Sequence, residues 1–171
     1  MEILEKELQD NLFEKGCFEP NETKFGTKIS FVETEFNIDG KRIDILGVDD
    51  KNYFYIIELK KNVIDGNALT QVLEYKTILK NILDFNEINY NAINCILVGK
   101  EIFGSVKNII IDNEEIEYVE YEIDLKYRDL NSTFIEKHYT KLKKTANEAK
   151  SFINSYFNVD EYFNKIEIKK E

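Results

Sequence analysis

The sequence predicts an α/β fold, a mixed β-sheet with helices packed on it, and three observations carry that reading. Apolar residues recur at helical spacing over 2–15 and 67–84. Between and after these stretches lie short segments that alternate in polarity or are apolar throughout. Their order, helix, three strands, helix and then one or two strands, gives an αβββαβ core.

Each element has its own signal. Over 2–15, Leu4, Leu8 and Leu12 share a helical face. Residues 28–36 (KISFVETEF) alternate as a strand does, and Asp39-Gly40 marks a turn. Residues 41–48 (KRIDILGV) and 53–60 (YFYIIELK), separated by DDKN, read as an antiparallel hairpin. Asp65-Gly66 ends the segment after the third strand. The helix over 67–84 offers Leu69, Val72, Leu73, Leu79, Ile82 and Leu83 as apolar positions. The run AINCILV at 92–98 suits a strand buried on both faces. Residues 108–112 (NIIID) and 116–123 (IEYVEYEI) are expected to be the last strand material.

A different segment follows. Ile135, Tyr139, Leu142, Ala146, Ala149, Ile153 and Tyr156 recur in steps of four and three, the seam of a long C-terminal helix over 133–157. That seam packs on the domain or on a second copy of the chain. A main domain over 1–125 and a helical extension over 126–171 are therefore expected, with 158–171 a short strand or frayed tail.

Composition narrows the class. At 171 residues and 43% hydrophobic, the chain can bury one real core, and one Pro with seven Gly leaves little room for flexible linkers. Cys17 and Cys95 lie far apart among apolar neighbours, which predicts two buried free thiols. No secretory signal pattern opens the sequence and no run is long enough to span a bilayer, so a cytoplasmic protein is expected, with no membrane partner. The net charge of -10 opposes a broad electrostatic grip on nucleic acid, although local lysine clusters exist.

The chemistry concentrates on the hairpin. Glu58 and Lys60 share one face of a strongly apolar strand, roughly 7 Å apart along it. Burying either charge alone costs several kcal/mol or forces neutralisation, roughly speaking, unless a cation or partner charge is at hand. If the turn is centred on Lys51, Asp44 faces Glu58 directly, and opposite residues of an antiparallel pair have Cβ atoms about 4.5–5.5 Å apart. A slip of one residue would put the two on opposite faces. The favoured register also puts Ile43 and Ile45 on a face with Ile57 and Leu59. Two carboxylates so placed repel unless a cation lies between them or one is protonated. Mg²⁺ suits such a pair because it takes a few carboxylates and keeps several waters; Mn²⁺ also fits. Lys60 would position a water, stabilise developing charge or act as a base. A surface hairpin with an ordinary Glu–Lys pair is the plain alternative, and the apolar strand and the facing Asp44 count against it.

At this point the residues resemble a known family. Asp44 followed after a hairpin by Glu58-Leu59-Lys60 resembles the PD-(D/E)xK nuclease superfamily, and GKRIDILGVDD with YFYIIELKKN is closer still to the catalytic domain of NucS-type endonucleases. The likeness includes Gln71 and Tyr75 in ALTQVLEY, Glu5 in EKELQDNLF and the later run NAINCILVGK, so it covers roughly residues 4–123. It implies a restriction-endonuclease-like fold and a metal held by Asp44, Glu58 and the backbone carbonyl of Leu59. Glu5 would bind or orient that metal, Gln71 would hold the attacking water or a phosphate oxygen, and Lys60 and Gln71 would contact the nucleic acid. Tyr75 and Glu35 would stand behind them. The NucS-type enzymes carry a separate N-terminal DNA-binding domain that has no counterpart here, and the helix over 133–157 does not align with them.

Other candidates are weaker. Glu2 and Glu7 compete with Glu5; Glu33 shares the face of Glu35; Lys61 points away from Lys60. Lys137, Lys141 and Lys144 form a stripe that reads first as a solvated helix face, and His138, the sole histidine, lies far in sequence from the hairpin. Two function classes result. The first is a metal-dependent DNA endonuclease, in repair, restriction or phage defence, with specificity from a homodimer or a DNA-targeting partner. The second is a catalytically weak nuclease-fold module for binding nucleic acid or protein.

Overall fold

The computed structural model describes residues 5–121. The expected long helix over 133–157, its lysine stripe, His138, the 126–171 division and Glu2 lie outside the described residues.

The elements run α1 (Glu5–Lys15), β1 (Cys17–Phe18), β2 (Ile29–Ile38), β3 (Lys41–Val48), β4 (Phe54–Leu59), β5 (Val63–Ile64), α2 (Gly66–Phe85), β6 (Ile93–Gly99), β7 (Glu101–Ile102), α3 (Gly104–Ile111) and β8 (Ile116–Glu120). Six strands form one mixed sheet in the order β1-β2-β3-β4-β6-β8. The first four are antiparallel neighbours, whereas β4, β6 and β8 are parallel. Parallel neighbours need crossover connections, and α2 and α3 supply them.

Helices cover both faces. On one side α2 buries Ala68, Leu69, Val72, Tyr75, Leu79, Ile82 and Leu83 against Leu46, Phe54, Ile56, Cys95 and Leu97, joined by Val106 and Ile110 of α3. Each such aliphatic side chain contributes about 1.5–3 kcal/mol on full burial. On the other side Leu8 of α1 packs with Phe31, Ile45, Tyr55, Ile57, Leu59 and Ile96. β6 is buried at all seven positions, as its apolar run predicts. Both cysteines are free and buried. Leu73, although apolar, is exposed on α2.

Two expectations fail. Residues 108–111 belong to α3, not to a strand. A short Ile-rich run does not separate strand from helix by periodicity. Here Val106 and Ile110, four apart, face the core while Ile109 and Ile111 stay exposed, and the parallel β6–β8 pair demands a crossover. Ile43 packs with Val32, Phe36 and Ile38 on the α2 side, away from Ile45, Ile57 and Leu59. Strict alternation fails beside Glu35, which lies between the pairs Thr34↔Ile45 and Phe36↔Ile43 and takes a left-handed φ of 49°.

A close approach holds the stretch after β4. A Cβ on Gly99 would lie 2.7 Å from Ile64 Cγ1, so only glycine lets β5 pass this near the end of β6. Asn62 accepts from the backbone N–H groups of Lys100 and Glu101, and the Lys60 N–H donates to Val98. The chain carrying Lys60 is therefore pinned on leaving the sheet.

Candidate active site

The hairpin register is the one the apolar pattern predicts. Ile45 pairs with Ile57 and Leu46 with Ile56, and continuing that ladder sets Asp44 opposite Glu58. Both carboxylates lie on the α2 side of the sheet, the side of Leu46 and Ile56. Their hydrogen bonds cross the hairpin: Leu59 N–H donates to Asp44 Oδ2 at 2.8 Å, and Asp44 N–H donates to Glu58 Oε1 at 3.2 Å.

Burial makes the pair electrostatically costly. Glu58 is 1% exposed, and burial first, then the Asp44 charge, push its pKa up to about 9. Burial also raises the Asp44 pKa, against the pull of the Leu59 amide and of a hydrogen bond with Glu58. Both shifts favour holding one proton on the metal-free pair. A cation set between the carboxylates would take over that proton's role. These are hard oxygen donors, as Mg²⁺ and Mn²⁺ prefer, and a backbone carbonyl at Leu59 is of the same kind. Among the described residues no group of three or more His, Cys, Asp and Glu side chains is arranged to hold a metal.

Lys60 stands beside this pair, and its charge lowers the pKa of both carboxyls. Its ammonium donates to Gln71 Oε1 at 3.1 Å, and Gln71 Nε2 donates to the Tyr75 hydroxyl at 2.8 Å. Residues four apart share a helical face, so α2 delivers Gln71 and Tyr75 together. Asp65 fixes where that helix begins by accepting the Ala68 N–H at 3.0 Å.

Glu5 reaches the same end of β4 from α1. Its Oε2 accepts the Lys61 N–H at 3.3 Å, and its charge raises the Asp44 pKa. Glu35 is placed differently, 3.9 Å from Lys6 and 3.8 Å from Arg42. The structure thus gathers Asp44, Glu58, Lys60, Gln71 and Tyr75, brings Glu5 alongside and ties Glu35 to two cations. Sequence reasoning missed Tyr121, whose hydroxyl donates to the Lys61 carbonyl. With Glu5 it fixes both polar groups of that residue's backbone. Nothing in the local pattern at Tyr121 marks a contact with a residue so far away in the chain.

Comparison with known proteins bears on the family and the fold. Residues 5–146 match the family described as the endonuclease NucS C-terminal domain. A structure described as a repair endonuclease from Pyrococcus abyssi is similar at 24% identity and a TM-score of 0.53, over 71% of this chain and 48% of that one. A second, described as an EndoMS-dsDNA2 complex, is similar at 22% identity and a TM-score of 0.52, over 69% of this chain and 44% of that one. This chain therefore spans under half the length of either, and at these identities the likeness speaks for the fold. The family match extends over most of the chain and includes every residue gathered at the end of β4: the chain belongs to the endonuclease NucS C-terminal domain family.

Proposed function

We propose that this protein is a metal-dependent endonuclease that hydrolyses phosphodiester bonds in DNA. One observation carries the reading: a buried carboxyl, Glu58, and a half-buried one, Asp44, face each other across a hairpin with the Lys60 ammonium beside them. Asp44, Glu58 and the Leu59 carbonyl would hold Mg²⁺ or Mn²⁺, which would supply Lewis-acid stabilisation of the pentavalent phosphorus.

The chain's own residues do the rest. Gln71 holds the Lys60 ammonium in place, and Tyr75 fixes which way the Gln71 amide points. So held, Lys60 neutralises a phosphate oxygen and orients the attacking water. Gln71 has a second amide hydrogen to offer that water or a phosphate oxygen. Glu5 steadies the Lys61 backbone and adds negative charge near Asp44. The water oxygen bonds to phosphorus, the bond to the 3′ oxygen breaks, and that oxygen leaves with a proton, giving a 5′-phosphate and a 3′-hydroxyl.

Fold likeness to a protein described as a repair endonuclease, and to one solved with double-stranded DNA, supports repair and duplex DNA as the first context. A second copy or a DNA-targeting partner would supply substrate choice. The net charge of -10 favours a second reading, a nuclease-fold module that binds with little catalysis. Incubation with supercoiled, single-stranded and branched DNA separates the two. The proposal expects cutting with Mg²⁺ or Mn²⁺, none with EDTA, and none from Asp44→Ala or Lys60→Ala. Cutting that ignores EDTA and both substitutions would reject the site; no cutting of any substrate would favour the binding module.

A further inference from the structure

A second concave site lies on the other face and at the other end of the sheet. Its volume is about 420 Å³, within the range of small-ligand pockets. Tyr53 and Tyr55 of its lining stand at the start of β4, whereas Glu58 is near the end, roughly 17 Å along the strand from Tyr53. Tyr55 belongs to the α1-side core, opposite the face that carries Asp44 and Glu58.

The floor is polar and already organised. Asp49 is 6% exposed and Asn94 likewise. Asp49 Oδ1 accepts the backbone N–H groups of Lys51 and Tyr53 at 2.9 and 3.1 Å, and Oδ2 accepts the Tyr55 hydroxyl at 2.8 Å. Asn94 lies beside Tyr55 and opposes the rise of its pKa. Burial and the neighbouring Asp49 push the Tyr55 pKa up, so the phenol stays a neutral donor. The Phe25 and Tyr53 rings form walls, and Thr27 adds a hydroxyl. Three carboxylates, Asp49, Glu114 and Glu115, line the cavity against one ammonium, Lys51. Glu115 is further engaged by Lys76, and Lys24, bound to the carbonyls of Ile110 and Asn113 and outside the lining, puts its ammonium 5.9 Å from the Phe25 ring.

This chemistry excludes several occupants. The carboxylate excess repels phosphates and nucleic acid. A purely apolar molecule would strip water from Asn94 and the carboxylates without replacing it. A bare metal ion finds no group of three or more His, Cys, Asp and Glu side chains suited to hold one among the described residues. What fits is a cation that offers directed N–H donors to carboxylates and a flat or compact charge to aromatic faces.

We propose that this cavity binds an organic cation, an ammonium or guanidinium group on a short aliphatic stem. The stem lies between Phe25 and Tyr53, and the charged head faces Asp49 and the Glu114–Glu115 rim. Two sources carry that chemistry, a free di- or polyamine and an arginine or lysine side chain of a partner protein. The site is independent of whether the chain cuts DNA.

Amide chemical-shift mapping on the full chain tests it, with agmatine and acetyl-arginine amide as probes and N-butylurea and phosphate as neutral and anionic controls. A general attraction of cations to an acidic protein would move signals across the whole surface, so confinement is the readout. Saturable shifts are expected at Lys51, Tyr53, Asn94, Glu114 and Glu115 with a cationic probe and not with the controls. Glu114→Lys, at an exposed position, is expected to weaken binding by about tenfold or more while leaving the remaining spectrum unchanged, and Tyr53→Ala, at a half-buried one, is expected to weaken it by a similar factor. Tighter binding of agmatine assigns the site to free amines, and tighter binding of acetyl-arginine amide assigns it to a partner's side chain. Scattered or unsaturable shifts, equal response to N-butylurea, or unchanged binding in both variants would overturn the proposal.

Discussion

Asp44 and Glu58 hold each other across the β3–β4 hairpin through backbone amides: Glu58 accepts the Asp44 N–H, and Asp44 accepts the N–H of Leu59, the residue after Glu58. The hairpin itself therefore enforces the approach of two like charges. Packing of Ile45, Ile57 and Leu59 beneath α1 and of Leu46 and Ile56 beneath α2 keeps the register from slipping.

This enforced approach gives the metal-free protein a pH signature. The folded Glu58 pKa, about 9, lies above the ordinary 4.5, so the folded state binds the extra proton between these values. Stability from that proton is full below the ordinary value and is lost as pH rises toward about 9. Thermal unfolding in EDTA should show a midpoint falling by several degrees, as an order of magnitude, over this window. Glu58→Gln should flatten the slope. A midpoint that rises with pH in the unsubstituted protein would contradict the shared-proton pair.

Gln71 and Tyr75 act on Lys60 in series, which predicts graded losses. Gln71→Ala should lower the cleavage rate by about 10–100-fold, as loss of a supporting contact to a site typically does. Tyr75→Phe keeps the ring in the core and removes only the hydroxyl that fixes the amide, so its loss should be the smaller. Single-turnover rates with saturating metal read this directly. Equal effects, or a larger one at Tyr75, would break the proposed order.

The cap of α2 can be tested apart from the chemistry. Asp65→Ala removes the acceptor for the Ala68 N–H and should cost about 1 kcal/mol in denaturant unfolding. Metal affinity should hold, because Asp65 touches neither carboxylate of the pair.

Much of the site was legible because its logic is local. The alternation in YIIELK, with Ile45 facing Ile57 and a short polar turn, sets the register, and the register alone opposes Asp44 to Glu58. Gln71 and Tyr75 come from the family resemblance, and helical spacing adds that they share a face. What escaped depends on distant partners or on backbone shape. α3 read as strand because its isoleucines suit either state, and only the parallel β6–β8 pairing demands a helix there. The displacement of Ile43 follows a left-handed residue at Glu35 that no composition rule marks. Alternation alone would put Glu35 on a face with Glu33, and its pairing with Lys6 depends on where α1 lands. The Asp49–Tyr55–Asn94 floor joins a turn to two strands, and its pattern reads as ordinary core until the strands are assembled.

Calorimetric titration of Mn²⁺ into the metal-free protein at neutral pH, in buffers of different ionisation enthalpy, tests the central claim most directly. The account predicts saturable binding accompanied by release of the shared proton, with both lost in Asp44→Asn and weakened in Glu58→Gln. Binding with no proton released, or binding of equal strength in Asp44→Asn, would contradict the assignment of the Asp44–Glu58 pair as the cation site.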